Sequence, residues 1–199
     1  MNTRFYDVGR HILRPFYNLF WPSRVRGEEN IPDEGGFILC ANHVHMRDPL
    51  FLAVRLPKRH FYFLAKAELF EHALLKLVIG EKGLGAIPIS RGHSDLGAIR
   101  EALKTIKEGH GLGIFPQGTR SRDNTPTPML TGTALIAIRA GVPVLPVYID
   151  APYRMFHHVD VRVGKPVDLS DIGRRCDSAT MEMVTKRIET AIWSLKDEK

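Results

Sequence analysis

Little in this sequence belongs to a disulfide scaffold, a membrane span or a covalent nucleophile. Only two of its 199 residues are cysteine, and Cys40 and Cys176 stand far apart without metal-ligand spacing. That argues against a disulfide framework and for a reducing compartment. No run approaches the roughly 18 to 20 apolar residues needed to cross a bilayer, and nothing reads as a signal peptide. There is no internal repeat or low-complexity tract, and no serine or cysteine stands in a G-x-S-x-G context. The basic residues are dispersed and no RNA- or DNA-binding motif appears, so nucleic acid is not an expected partner.

What is present fits one domain. A chain of 199 residues, 44% of them hydrophobic, can bury one sizeable core. Lys and Arg outnumber Asp and Glu by 28 to 22, a formal net charge of +6, which favours anionic partners such as phospholipid surfaces or phosphorylated substrates. On a helical projection of residues 4 to 21, Phe5, Val8, Ile12, Phe16, Leu19 and Phe20 lie on one side. Arg4, Asp7, Arg10, His11 and Arg14 lie on the other. Residues 1–22 therefore form an amphipathic segment that either lies on a membrane or packs on its own domain. Pro15 is expected to kink or divide it. A second stripe, Leu69, Phe70, Ala73, Leu74, Leu77 and Val78, carries the same ambiguity.

From residue 24 onward short apolar runs alternate with helical patterns, which predicts an α/β domain over residues 23–199. Strands are expected at 37–41, 61–65, 86–89, 112–115, 142–149 and 159–163, with the prolines of the fifth arguing against a regular central position. A helix should begin at Asp48-Pro49 with Asp as its N-cap. Another, capped by Ser94, should turn Leu96, Ile99, Leu103 and Ile106 to the core. Gly141 should stop a helix over 131–140, and Met181, Val184, Ile188 and Ile192 mark a C-terminal helix. The Ser121–Pro128 segment reads as a surface loop.

Two polar turns carry the chemistry. Asn42-His43-Val44-His45-Met46-Arg47-Asp48 follows the apolar run 37–41 and puts an imidazole and a carboxylate five positions apart, the makings of a histidine base oriented by an acid. Phe115-Pro116-Gln117-Gly118-Thr119-Arg120-Ser121 follows another apolar run and offers a turn glycine, a hydroxyl and a guanidinium. Arg91 follows the alternating pair Ile87 and Ile89. With Arg120 it could present two planar forks to a phosphate, where ligands gather at the carboxyl ends of strands. His43 and His45 lie in a turn and no Cys or carboxylate cluster completes a ligand set, so no metal is expected.

In order and spacing, Asn42-His43 with Asp48, Gly85–Arg91, Phe115–Ser121 and Val142–Val147 resemble the four motif blocks of the glycerolipid acyltransferases, over roughly residues 24 to 167. The resemblance implies a mixed, largely parallel sheet flanked by helices, of the glycerol-3-phosphate acyltransferase type. It implies transfer of an acyl group from acyl-CoA or acyl-carrier protein, as co-substrate, to lysophosphatidic acid. The product would be phosphatidic acid, made at the cytoplasmic face of a membrane by a peripheral enzyme with no other cofactor. His43 and Asp48 would be catalytic, and Asn42, Arg91, Gln117, Gly118, Thr119 and Arg120 would bind substrate. Two positions depart from the pattern: Gln117 stands where Glu is usual and Leu130 where Lys is frequent. The turn thus loses either an ion pair or two separate contacts. Another hydroxyl or amine acceptor, or a non-catalytic lipid-binding role, would fit the same departures.

Overall fold

A computed structural model describes residues 3–80, 83–90, 95–121, 123–150, 152–173 and 175–197. Seven strands form one sheet in the order β1-β7-β6-β2-β5-β3-β4. They are β1 (Val25–Arg26), β2 (Phe37–Ala41), β3 (Phe61–Lys66), β4 (Ala86–Ile89), β5 (Gly111–Ile114), β6 (Val144–Ile149) and β7 (Val161–Val163). The β6, β2, β5, β3 and β4 strands are mutually parallel, and β7 runs antiparallel to β6 with β1 parallel beside it. The helices are α1 (Thr3–Phe20), α2 (Asp48–Arg55), α3 (Ala73–Ile79), α4 (Leu96–Lys107), α5 (Gly132–Ala140) and α6 (Ser178–Ser194).

Two apolar layers cover the two faces of the sheet. Alternate residues of β2 split between them: Phe37, Leu39 and Ala41 pack with α2, Tyr17 and Trp21, while Ile38 and Cys40 pack with α4, α5 and α6. A strand buried on both faces is the expected reading of the unbroken run Phe-Ile-Leu-Cys-Ala.

Several expectations need correction. Pro146 does not push its strand aside: β6 is fully buried and paired with both β2 and β7. Pro146 lies just before the β7 register begins at Val147↔Val163, and there it serves as acceptor, from the Gly164 N–H at 2.8 Å, so its missing donor costs little. Asp48 is the first helical residue of α2, not its N-cap; its carboxylate turns back to the preceding loop. Leu96 is exposed; Ile106 is buried as expected with Ile99 and Leu103 packed against the core, and α4 buries Ala98 and Ala102 besides. Asp95 caps that helix by accepting the Ala98 N–H at 2.9 Å, and Ser94 lies outside the described residues.

Pro15 does not divide α1, which runs unbroken from Thr3 to Phe20. Pro15 is exposed, and the carbonyl four residues back belongs to exposed His11, where water can replace the lost donor. The helix docks through Tyr6 and Tyr17, both in the core, and through its polar side. Asp7 bonds His60 Nε2 at 2.9 Å, and Arg10 donates to the Pro57 carbonyl at 3.1 Å. Its apolar stripe is turned outward: Val8, Ile12, Phe16 and Leu19 are 51–68% exposed.

Candidate active site

The strand order sets the site. β2 and β5 are neighbours and parallel, so their carboxyl ends deliver the two polar turns side by side. Ligands collect at such ends in open α/β sheets. The Ser121 N–H donates to the His43 carbonyl at 2.8 Å, stitching the turns together. β4 is separated from β2 by β5 and β3, so the strand leading to Arg91 is not adjacent to the histidine turn. Arg91 itself lies outside the described residues.

His43 and Asp48 meet. His43 Nδ1 lies 2.7 Å from Asp48 Oδ2, with the carboxylate fully buried and the imidazole side chain 13% exposed. The same oxygen accepts the N–H groups of Val44 at 2.7 Å and His45 at 2.9 Å. Three N–H groups thus converge on one oxygen. An ionised Asp48 makes Nδ1 the protonated nitrogen of neutral His43 and leaves Nε2 as the basic atom. The ring cannot tumble, because it stacks on Phe115 at 4.3 Å between centroids, and Phe115 stacks in turn on Phe63 at 6.0 Å. His45 is a different histidine. Burial first, then the Arg47 and Arg120 charges, hold its imidazole below the ordinary range, against the opposing pull of Asp48. Its Nδ1 accepts the Arg47 N–H at 3.2 Å.

Asn42 and Gln117 brace the two turns through hydrogen bonds within the protein. Asn42 is buried at the end of β2; its Oδ1 accepts the Ile149 N–H at 2.7 Å, and its Nδ2 donates to the Ile149 carbonyl at 3.0 Å and to Asn124 Oδ1 at 2.8 Å. Gln117, also buried, accepts the His43 N–H at 2.7 Å and donates to Thr127 Oγ1 at 2.6 Å. Each amide uses both of its ends within the protein. Thr119 and Arg120 are exposed on the second turn. Gly118 has φ 63°, a left-handed conformation that favours glycine; a Cβ there would meet only the end of the exposed Leu130 side chain, which can swing away. Leu130 is exposed over Gly118 while Gln117 is buried against His43 N.

The sequence reading missed Asn124. It is buried at φ 50° and donates to the Tyr148 hydroxyl at 2.9 Å, so the Ser121–Pro128 loop is nailed down at its middle. An Asn following Asp in a turn-rich stretch is the one signal that could have suggested a left-handed residue there. The stacking of Phe115 on His43 and the tilted packing of Tyr153 on His45 were missed as well, since ring contacts leave no trace in spacing. A cavity of about 530 Å³ lined by Arg26, Asn30, Arg162 and Lys165 contains none of the residues of the two polar turns. Among the described residues no cluster of three His, Cys, Asp or Glu side chains is placed to hold a metal ion.

Fold and dyad together define a class, and residues 22–150 match the acyltransferase family model: the chain belongs to that family. Among named relatives, the 1-acyl-sn-glycerol-3-phosphate acyltransferase of Streptococcus pneumoniae is 32% identical over 177 residues, covering 85% of this chain and 64% of the relative. The chain thus spans just under two thirds of that protein. The Bacillus subtilis protein of the same name is 25% identical over 198 residues, covering 97% of this chain and 98% of the relative. The crystal structure of the 1-acyl-sn-glycerophosphate (LPA) acyltransferase PlsC from Thermotoga maritima superposes with a TM-score of 0.73 at 27% identity, covering 99% of this chain and 80% of that one.

Proposed function

We propose that this acyltransferase moves a fatty acyl group from an acyl thioester, acyl-CoA or acyl-carrier protein, to the free hydroxyl of lysophosphatidic acid, giving phosphatidic acid. The observation that carries this reading is the His43–Asp48 contact at 2.7 Å beside the second polar turn. His43 Nε2 takes the proton of the acceptor hydroxyl as its oxygen attacks the thioester carbonyl. Asp48 offsets the charge that develops on the imidazolium. The tetrahedral intermediate collapses, the carbon–sulfur bond breaks, and the thiolate leaves with the proton returned from His43. The thioester is already activated, so this sequence requires no covalent acyl-enzyme and no further cofactor.

Arg120, exposed on the turn that pairs with His43, holds the acceptor phosphate and so aligns the hydroxyl. Arg91, following β4, is proposed as its companion. Gly118, at positive φ, lets the backbone of that turn approach the substrate, and Thr119 donates its hydroxyl to it.

The substrates are lipids, and the outward stripe of α1 fits a peripheral enzyme on the cytoplasmic face of a phospholipid membrane. A helix docked by its polar side, with Ile12, Phe16 and Leu19 exposed, presents apolar surface that its own domain does not cover. Exposed Met155 and Phe156 extend the stripe: the Phe156 ring lies 5.5 Å from that of Phe20, and its N–H donates to the Phe20 carbonyl at 2.7 Å. Arg4, Arg14 and Arg154 are exposed nearby in the chain and suit anionic headgroups. No helix among the described residues is long and apolar enough to cross a membrane.

The direct experiment offers purified protein lysophosphatidic acid in detergent with a panel of acyl thioesters and follows the lipid by mass spectrometry. Phosphatidic acid is the expected product. Its absence with every donor, or acylation only of other acceptors, would reject this reading.

A further inference from the structure

Asp48 uses one oxygen three times, while its other oxygen, Oδ1, is buried with no hydrogen-bond partner. The hydroxyl of Tyr153 is likewise buried and without a partner. Native proteins rarely leave such atoms unpaired, least of all a carboxylate oxygen. One of these two is an acceptor and the other a donor.

They are also neighbours, the Asp48 carboxyl lying close enough to act on the phenol. The Tyr153 ring packs edge-on against Phe51 at 5.3 Å and tilted against His45 at 5.4 Å. Phe51 is three residues beyond Asp48 on α2, a spacing that puts both on one helix face. After burial, Asp48 is the main influence on the phenol and pushes its pKa well above the ordinary range, so the hydroxyl stays protonated as a donor. The other charged or titratable groups around this pair are His43 and His45 in the turn, Arg47, Arg55 of α2, Tyr17 of α1 and Arg120 of the second turn.

We infer that Tyr153 is a positioning residue: its O–H donates to Asp48 Oδ1, fixing the plane of the carboxylate so that Oδ2 stays on His43 Nδ1. The hydroxyl also draws charge from the carboxylate and thereby tunes how tightly His43 holds its proton. This inference rests on the reading of His43 as the base.

Tyr153→Phe deletes the hydroxyl and keeps the ring. With the donor gone the charge on Asp48 is less dispersed and holds a proton on His43 more tightly. The titration midpoint of the His43 ring, followed by NMR and assigned with His43→Gln, is therefore expected to move to higher pH. In acyl transfer, kcat falls about tenfold, and the acid limb of kcat/KM moves the same way. In an Asp48→Asn background the substitution adds nothing further to the loss. An unmoved His43 midpoint overturns the inference, as does a loss that multiplies fully in the Asp48→Asn background. The NMR measurement needs no turnover, so failure of the wild-type protein to acylate lysophosphatidic acid would reject the proposed function separately.

Discussion

Gln117 accepts the backbone N–H of His43 at 2.7 Å, so a side chain of the second polar turn holds the first in place. Its other end donates to the Thr127 hydroxyl. Glu at this position keeps an acceptor for His43, and the Thr127 hydroxyl can rotate to donate to it. Leu leaves both half-buried partners unpaired. Gln117→Leu is therefore expected to lower stability by about 1–3 kcal/mol and Gln117→Glu by clearly less. Urea unfolding of the two variants checks this, and equal losses would show that the contact to His43 does not hold the turn.

Arg120 is proposed to meet only the acceptor. Arg120→Ala should raise the apparent KM for lysophosphatidic acid roughly tenfold to a hundredfold, as for loss of a charge-assisted contact of ~1.5–3 kcal/mol, and leave the KM for the acyl donor nearly unchanged. Steady-state kinetics with each substrate varied in turn separates the two. A matching rise for both would place Arg120 elsewhere.

The membrane face is best tested without truncation, because deleting α1 would remove Tyr6 and Tyr17 from the core. Ile12→Ser with Leu19→Ser alters exposed side chains of that face. The pair should weaken sedimentation with anionic vesicles while shifting unfolding free energy by no more than about 0.5 kcal/mol per site. Added salt should weaken binding of the unaltered protein. Undiminished binding of the double variant would assign the stripe some other partner.

One clamp on α1 depends on pH. The hydrogen bond from His60 is the main cause holding the Asp7 carboxyl below its usual range, helped by Arg10. A group whose pKa is depressed on folding contributes stability above its unfolded pKa, about 3.9 for Asp, and loses it as pH falls through the folded value. Asp7 is partly exposed, so the contribution is small. Asp7→Asn should be the less stable protein near pH 6, and the gap should close below about pH 4. A gap that persists in acid would mean the clamp does not work through charge.

The strands were legible because each is a short apolar run bounded by turn residues. The dyad was legible because both members sit within one turn. What the sequence hid depends on strand order. Asn42 and Asn124 are 82 residues apart and meet only because β2 lies beside β6. The bracing of the turns by Asn42 and Gln117 follows from the same packing. Periodicity showed that α1 has an apolar side but not which way it faces, since that choice is made by Asp7, Arg10 and Tyr17 against residues far along the chain. Pro146 misled because a proline argues against a central strand only where its N–H would be needed.

The central claim is that His43, held by Asp48, is the base of an acyl transfer. In the lysophosphatidic acid assay with a thioester donor, His43→Ala is expected to lower turnover by on the order of 10² to 10⁴. Asp48→Asn should also be severe, and the His43→Ala protein should keep its folded circular dichroism spectrum. Near-normal transfer by a folded His43→Ala protein would contradict the account.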